Sequence, residues 1–157
     1  MNRWLVLGGA LSALAAAVHV AVIFGGPDWY RFFGAGEGMA HAAARGSWRP
    51  AAITAGIALV LAAWSAYAFS GAGLIPRLPL LRTALVLIST VYLLRGLLLF
   101  PALLFRPTDA FAVWSSAIVL AYGCVYALGT WTAWPALTQN GHALRLEPAS
   151  APPPPLG

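Results

Sequence analysis

The stretch that decides the fold is residues 4–24, WLVLGGALSALAAAVHVAVIF. It carries no charge, and its only strongly polar members are Ser12 and His19. A helix rises about 1.5 Å per residue, so this run reaches about 30 Å, the thickness of bilayer hydrocarbon. It reads as the first of several membrane spans. Arg3, the apolar run and Ala15-Ala16-Ala17 also imitate a cleavable signal peptide. The apolar run continues past that point through Val18 to Phe24, which favours a retained helix.

Three more apolar runs follow. Residues 51–70 are introduced by Pro50 and closed by Gly71 and Gly73, the punctuation expected at helix ends. Residues 80–105 are leucine-rich and interrupted by Arg95 and Pro101, and residues 110–134 are again free of charge. After Pro135 the chain turns polar and ends in Ala151 followed by four prolines, a composition expected to stay disordered. The expected architecture is all-α. Residues 1–135 form one four-helix transmembrane bundle of up-down topology, with a short interfacial or re-entrant helix in the first loop, and residues 136–157 are a tail.

Composition supports a bilayer as the solvent, since the chain is 61% hydrophobic and 8% charged, with a mean hydropathy of +0.78. The net charge of +5 rests entirely on arginine. In a soluble protein so basic a balance would invite nucleic acid, but here the arginines flank apolar runs singly, so no nucleic-acid partner is expected. The absence of lysine beside abundant Ala, Gly, Pro and Arg implies a GC-rich coding sequence, and a bacterial inner membrane is the expected location. The single cysteine, Cys124, lies in an apolar run and reads as a small buried residue.

Trp4, Trp29, Trp48, Trp131 and Trp134 fall at span ends, where an indole favours the headgroup layer. Small residues four apart, Gly8/Ser12/Ala16 on the first span and Ala117/Ala121 with Gly123/Ala127 on the last, predict close packing of those two helices. Orientation is balanced: Arg3, Arg77, Arg82 and Arg145 share the side of the termini, against Arg31, Arg45, Arg49 and Arg106. The signal-like start tips both termini towards the cytoplasm.

Polar groups converge on the face carrying the long first connector. His19 lies five residues before Phe24, about 7 to 8 Å inside the helix end. Arg95 lies six before Pro101, at similar depth, in a layer shared with Thr54, Trp114, Ser115 and Ser116. An intramembrane guanidinium keeps its charge and costs about 2.5 to 3.5 kcal/mol at mid-membrane, so it calls for a carboxylate, water or an anionic ligand. Glu37 is the expected partner, with Asp28 and Asp109 as rivals. Glu37, His41 and Arg45 are spaced i, i+4, i+8 and therefore share one face of a short helix over 36–45. The structural counterpart is that Arg95 snorkels or only fixes packing, and that His19 bonds a neighbouring carbonyl or hydroxyl.

Several chemistries find no footing. There is no nucleophile elbow, no HExxH and no lysine to activate a serine. The glycines at 34, 36 and 38 lack the spacing of a phosphate loop. A metal held by His19, Glu37 and His41 has no recognised ligand spacing and would sit near the Arg95 charge, so no metal and no cofactor are expected. The leading expectation is a protein that binds an anionic amphiphile, such as a lipid headgroup, through Arg95, His19, Glu37, His41, Tyr92 and Ser115. Membrane lipids would be its partners. The alternatives are a small membrane enzyme using His19 or Glu37 as acid or base, and a structural subunit that self-associates or joins a larger membrane complex.

Overall fold

A computed structural model describes residues 1–97 and 110–143, and all regular structure among them is helical. Five helices follow one another: α1 Arg3–Phe32, α2 Glu37–Ala44, α3 Arg49–Ala72, α4 Leu81–Leu97 and α5 Ala110–Ala143.

The helix ends have local causes. Asn2 caps α1, its Oδ1 accepting from the N–H groups of Trp4 at 3.0 Å and Leu5 at 3.2 Å. Its Nδ2 donates to the Gly129 carbonyl at 3.0 Å and to Thr132 Oγ1 at 2.8 Å, which ties the start of α1 to α5. Gly26 breaks α1 with φ 68° and ψ −155°, angles that glycine alone adopts at little cost, and Pro27 cannot restore the lost hydrogen bond. The helical axis of α1 therefore breaks at this kink, and residues 27–32 form a separate helical turn. Pro50 opens α3, and Gly73 at φ 81° closes it, with Leu74 N–H returning to the Phe69 carbonyl at 3.0 Å.

α1 packs mainly on α3 and α4 mainly on α5, with α1 against α5 joining the two pairs. Hydroxyls lie inside this assembly: Ser12, Thr54, Ser65, Ser89, Ser116 and Thr130 are buried, and Ser65 Oγ donates to the Gly9 carbonyl at 2.8 Å. Large apolar side chains lie outside, Phe24 at 86%, Leu59 at 71% and Trp131 at 80% exposure. Of the most apolar window of α1 only 28% is buried. A water-soluble bundle would have the reverse distribution.

Among the described residues three helices are long and apolar enough to cross a membrane: α1, α3 and the stretch Phe111–Thr138 of α5. That is one fewer than the four expected. The difference lies in α4, whose 17 described residues reach about 25 Å and include Arg82 and Arg95. The rest of its expected range, residues 98–105, lies outside the described residues. The short helix expected in the first connector is present as α2. α5 runs on through Pro135 to Ala143, past the expected end at Trp134.

The expected intimacy of the first and last spans is a lesser contact than that between α4 and α5. There Gly96 and Gly123 bring the backbones together: a Cβ on Gly96 would stand 2.5 Å from Leu120 Cα, and one on Gly123 would stand 2.9 Å from Leu93 N. Against α1, Gly8 instead receives the ring of Tyr126. Cys124 is exposed on the outer side of α5 rather than buried.

Candidate functional site

The residues expected to form one site separate into two groups. Beyond the kink of α1, Arg31 gathers the nearby carboxylates. Its Nε donates to both Glu37 oxygens at 3.2 Å and its Nη1 to Asp28 Oδ1 at 2.9 Å. Hydrogen bonding and charge from Glu37, then Asp28, raise its pKa above the ordinary arginine value. His41 Nε2 lies 3.4 Å from the same Glu37 carboxylate, one helical turn along α2. All four side chains are exposed, so the cluster fixes geometry more than it stabilises the fold. Beneath it the other face of α2 places Ala40 against Val22 and Tyr30 of α1, with Met39 and Ala43 alongside.

Glu37 therefore does not pair with Arg95, contrary to expectation. The nearer cation takes it: Arg31 is six residues away and joined through the tight turn at Gly34 and Gly36, both at positive φ. Arg95 donates from Nη1 to Ser116 Oγ on α5 at 3.0 Å and, among the described residues, forms no ion pair. Asp109, its other expected rival partner, lies outside the described residues.

Ser116, not Ser115, faces Arg95. Ser115 Oγ turns back to the Ala112 carbonyl at 3.2 Å. The inner stripe of α5 runs Ser116, Val119, Gly123, Tyr126, Thr130, Ala133 and Leu137, alternating steps of three and four, and Ser115 is off it. The sequence does not single out that stripe, because α5 is apolar on nearly every side.

His19 is engaged by its own helix, Nδ1 lying 2.7 Å from the Ala15 carbonyl, to which it donates. Tyr92 belongs to a buried aromatic and hydroxyl cluster. Ser12 Oγ lies 3.0 Å from Tyr92 Oη and 2.8 Å from Tyr126 Oη, and Tyr126 donates to the Trp64 carbonyl at 3.3 Å. The Trp64 ring meets Tyr92 edge-on, centroids 4.9 Å apart. Neither Ser12 nor Tyr126 was anticipated as a partner of Tyr92. Among the described residues no three of His, Cys, Asp and Glu come close enough to hold a metal ion.

Arg95 stands at one end of a groove of about 410 Å³ between α3 and α4, lined by Ile53, Ile57 and Val60 of α3, Val91 of α4 and Val119 of α5, with Trp64 and Tyr92 at its floor. The Tyr92 hydroxyl is turned to Ser12, so the groove is apolar along its length except for the guanidinium. A volume in this range suits a small ligand or one acyl chain.

Comparison with known proteins returns no matching family model, no matching curated protein and no matching solved structure. The fold defines a class: an all-helical protein whose three long apolar helices point to a membrane.

Proposed function

We propose that the chain is an integral membrane protein that binds an anionic amphiphile, with its headgroup at Arg95 and its apolar part along the groove between α3 and α4. In this reading α4 completes a fourth crossing, giving an up-down bundle in a bacterial inner membrane with both termini in the cytoplasm. The observation that carries the proposal is Arg95 itself, a permanent cation on an apolar helix with a neutral serine as its hydrogen-bond partner and an apolar groove beside it. An exposed guanidinium at hydrocarbon depth is costly without a compensating anion, and its fork matches a phosphate or carboxylate with two parallel hydrogen bonds. The cluster at Asp28, Arg31, Glu37 and His41 is internally paired, and its place in this reading is at the headgroup layer over the bundle, not in contact with the anion.

Native mass spectrometry of the purified protein, comparing wild type with Arg95→Ala, tests the proposal. Wild type is expected to retain phosphatidylglycerol in preference to phosphatidylcholine, and the variant to lose that preference. Equal retention by the two proteins rejects the site. A reporter fused at the C-terminus tests the topology, and a periplasmic signal reverses it.

A further inference from the structure

A further cavity lies at the other end of the helices, where the start of α1, the end of α3, the start of α4 and the last turns of α5 meet. It holds about 800 Å³ and is open to the outside. Its polar lining sorts into groups already engaged and groups still able to bind. Asn2 uses its oxygen on the N-terminus of α1 and its amide on Gly129 and Thr132. Thr132 accepts from Asn2 and turns its hydroxyl towards the Leu128 and Gly129 carbonyls. Ser70 donates to the Pro76 carbonyl at 3.0 Å and accepts from Leu78 N–H at 3.0 Å. Of its charged side chains, Arg3 has no partner among the described residues, and Arg77 uses one Nη2 bond on the Ala136 carbonyl at 3.0 Å.

The two ends of the molecule therefore differ in a way that counting arginines does not show. At the first-connector end Arg31 is neutralised by Asp28 and Glu37. At this end Arg3 and Arg77 line one crevice, and no carboxylate lines it among the described residues. A cavity whose charged side chains are both cationic favours an anion, and two guanidinium forks favour an oxyanion with several acceptor oxygens. Trp4, 45% exposed, stands at its rim, a side chain suited to the headgroup layer.

We infer that this crevice is a second anion site, which takes the phosphate of an anionic phospholipid between Arg3 and Arg77 in the leaflet opposite the Arg95 groove. It uses different residues at the other end of the helices, and only the second lipid in the counts below rests on the Arg95 proposal.

The test counts bound lipids on the full chain by native mass spectrometry during titration with phosphatidylglycerol. Wild type is expected to hold two, Arg3→Gln/Arg77→Gln one, and Arg3→Lys/Arg77→Lys two, with the charge-removing pair weakening the affected lipid by at least about tenfold. Lipid retained at the Arg95 groove also reports that the variant is folded. Competition with glycerol 3-phosphate distinguishes the sources: displacement of this one lipid identifies the phosphate as sufficient, and its persistence identifies the intact phospholipid. Retention of both lipids by the Gln pair overturns the inference, as does equal retention of phosphatidylcholine by wild type. Loss of the other lipid in Arg95→Gln tests the first proposal separately.

Discussion

The seam between α4 and α5 gives the sharpest prediction. A methyl group at Gly96 would stand 2.5 Å from Leu120 Cα and 2.7 Å from Leu120 Cβ and N. Carbon atoms rest at about 3.5 to 4.0 Å, so Gly96→Ala requires the helices to part by about 1 Å. The obstacle is mainly backbone, which cannot swing aside as a side-chain tip can. A gap of that size forfeits about a quarter to a half of each dispersion contact along the seam. Overpacking of this kind costs about 2 to 3 kcal/mol, or about a 30- to 150-fold shift in the folding equilibrium. It should also lengthen the 3.0 Å bond from Arg95 to Ser116. Gly123→Ala meets Leu93 N, Cγ and Cδ2 at 2.9 Å across the same seam, and one separation relieves both clashes. The double variant should therefore lose less than the sum. Gly56→Ala is the control, since nothing lies within 4 Å of its added Cβ. The assay is equilibrium unfolding in mixed detergent micelles. If Gly96→Ala unfolds at the same denaturant concentration as Gly56→Ala, the close approach of α4 and α5 is refuted.

Three further outcomes are expected. A double-mutant cycle of Glu37→Gln with Arg95→Gln should show coupling near zero, whereas Glu37→Gln with Arg31→Gln should show a small favourable coupling, both measured by unfolding; strong coupling to Arg95 would restore the pairing read from sequence. Tyr30 is 2% exposed and its hydroxyl has no partner among the described residues, so Tyr30→Phe should be neutral or stabilise by about 1 kcal/mol, and a clear loss in the same assay would show that the hydroxyl is bonded. Gly56→Leu adds a side chain at the groove, where nothing lies within 4 Å of the new Cβ, and should leave the unfolding midpoint near wild type while weakening lipid retention at Arg95 by about tenfold or more; unchanged retention would mean that the groove is not occupied.

Much of the arrangement was legible along the chain. The short helix after Gly36 and the stop at Gly73 follow from residues whose backbone preferences act within a few positions, whereas the helical turn beyond the Gly26 kink was read as connector. So does the membrane reading, because the length and apolarity of a run are properties of the run alone. Arg95 was identified from its cost, and it does sit at the edge of a groove. The choice of its partner was not legible. Glu37 is on the expected side of the molecule, but Arg31 reaches it first, and an order of proximity among three charges cannot be read from spacing in one helix.

What the chain determined by itself is that it is helical and that its long runs are apolar enough for a bilayer; the count of four crossings and the ends at Phe24 and Trp134 were not fixed by it, since three described helices have that length and two of them run on to Phe32 and Ala143. What only the tertiary structure decided is how each helix is turned about its axis: Ser116 inward rather than Ser115, Cys124 outward, Tyr92 and Tyr126 onto Ser12, and Gly96 against Leu120. The physical reason is that these helices are apolar on nearly every side. With no contrast between an oily and a wet face, rotation is set by the fit of small residues and hydroxyls against neighbouring helices, which exists only once the helices have met.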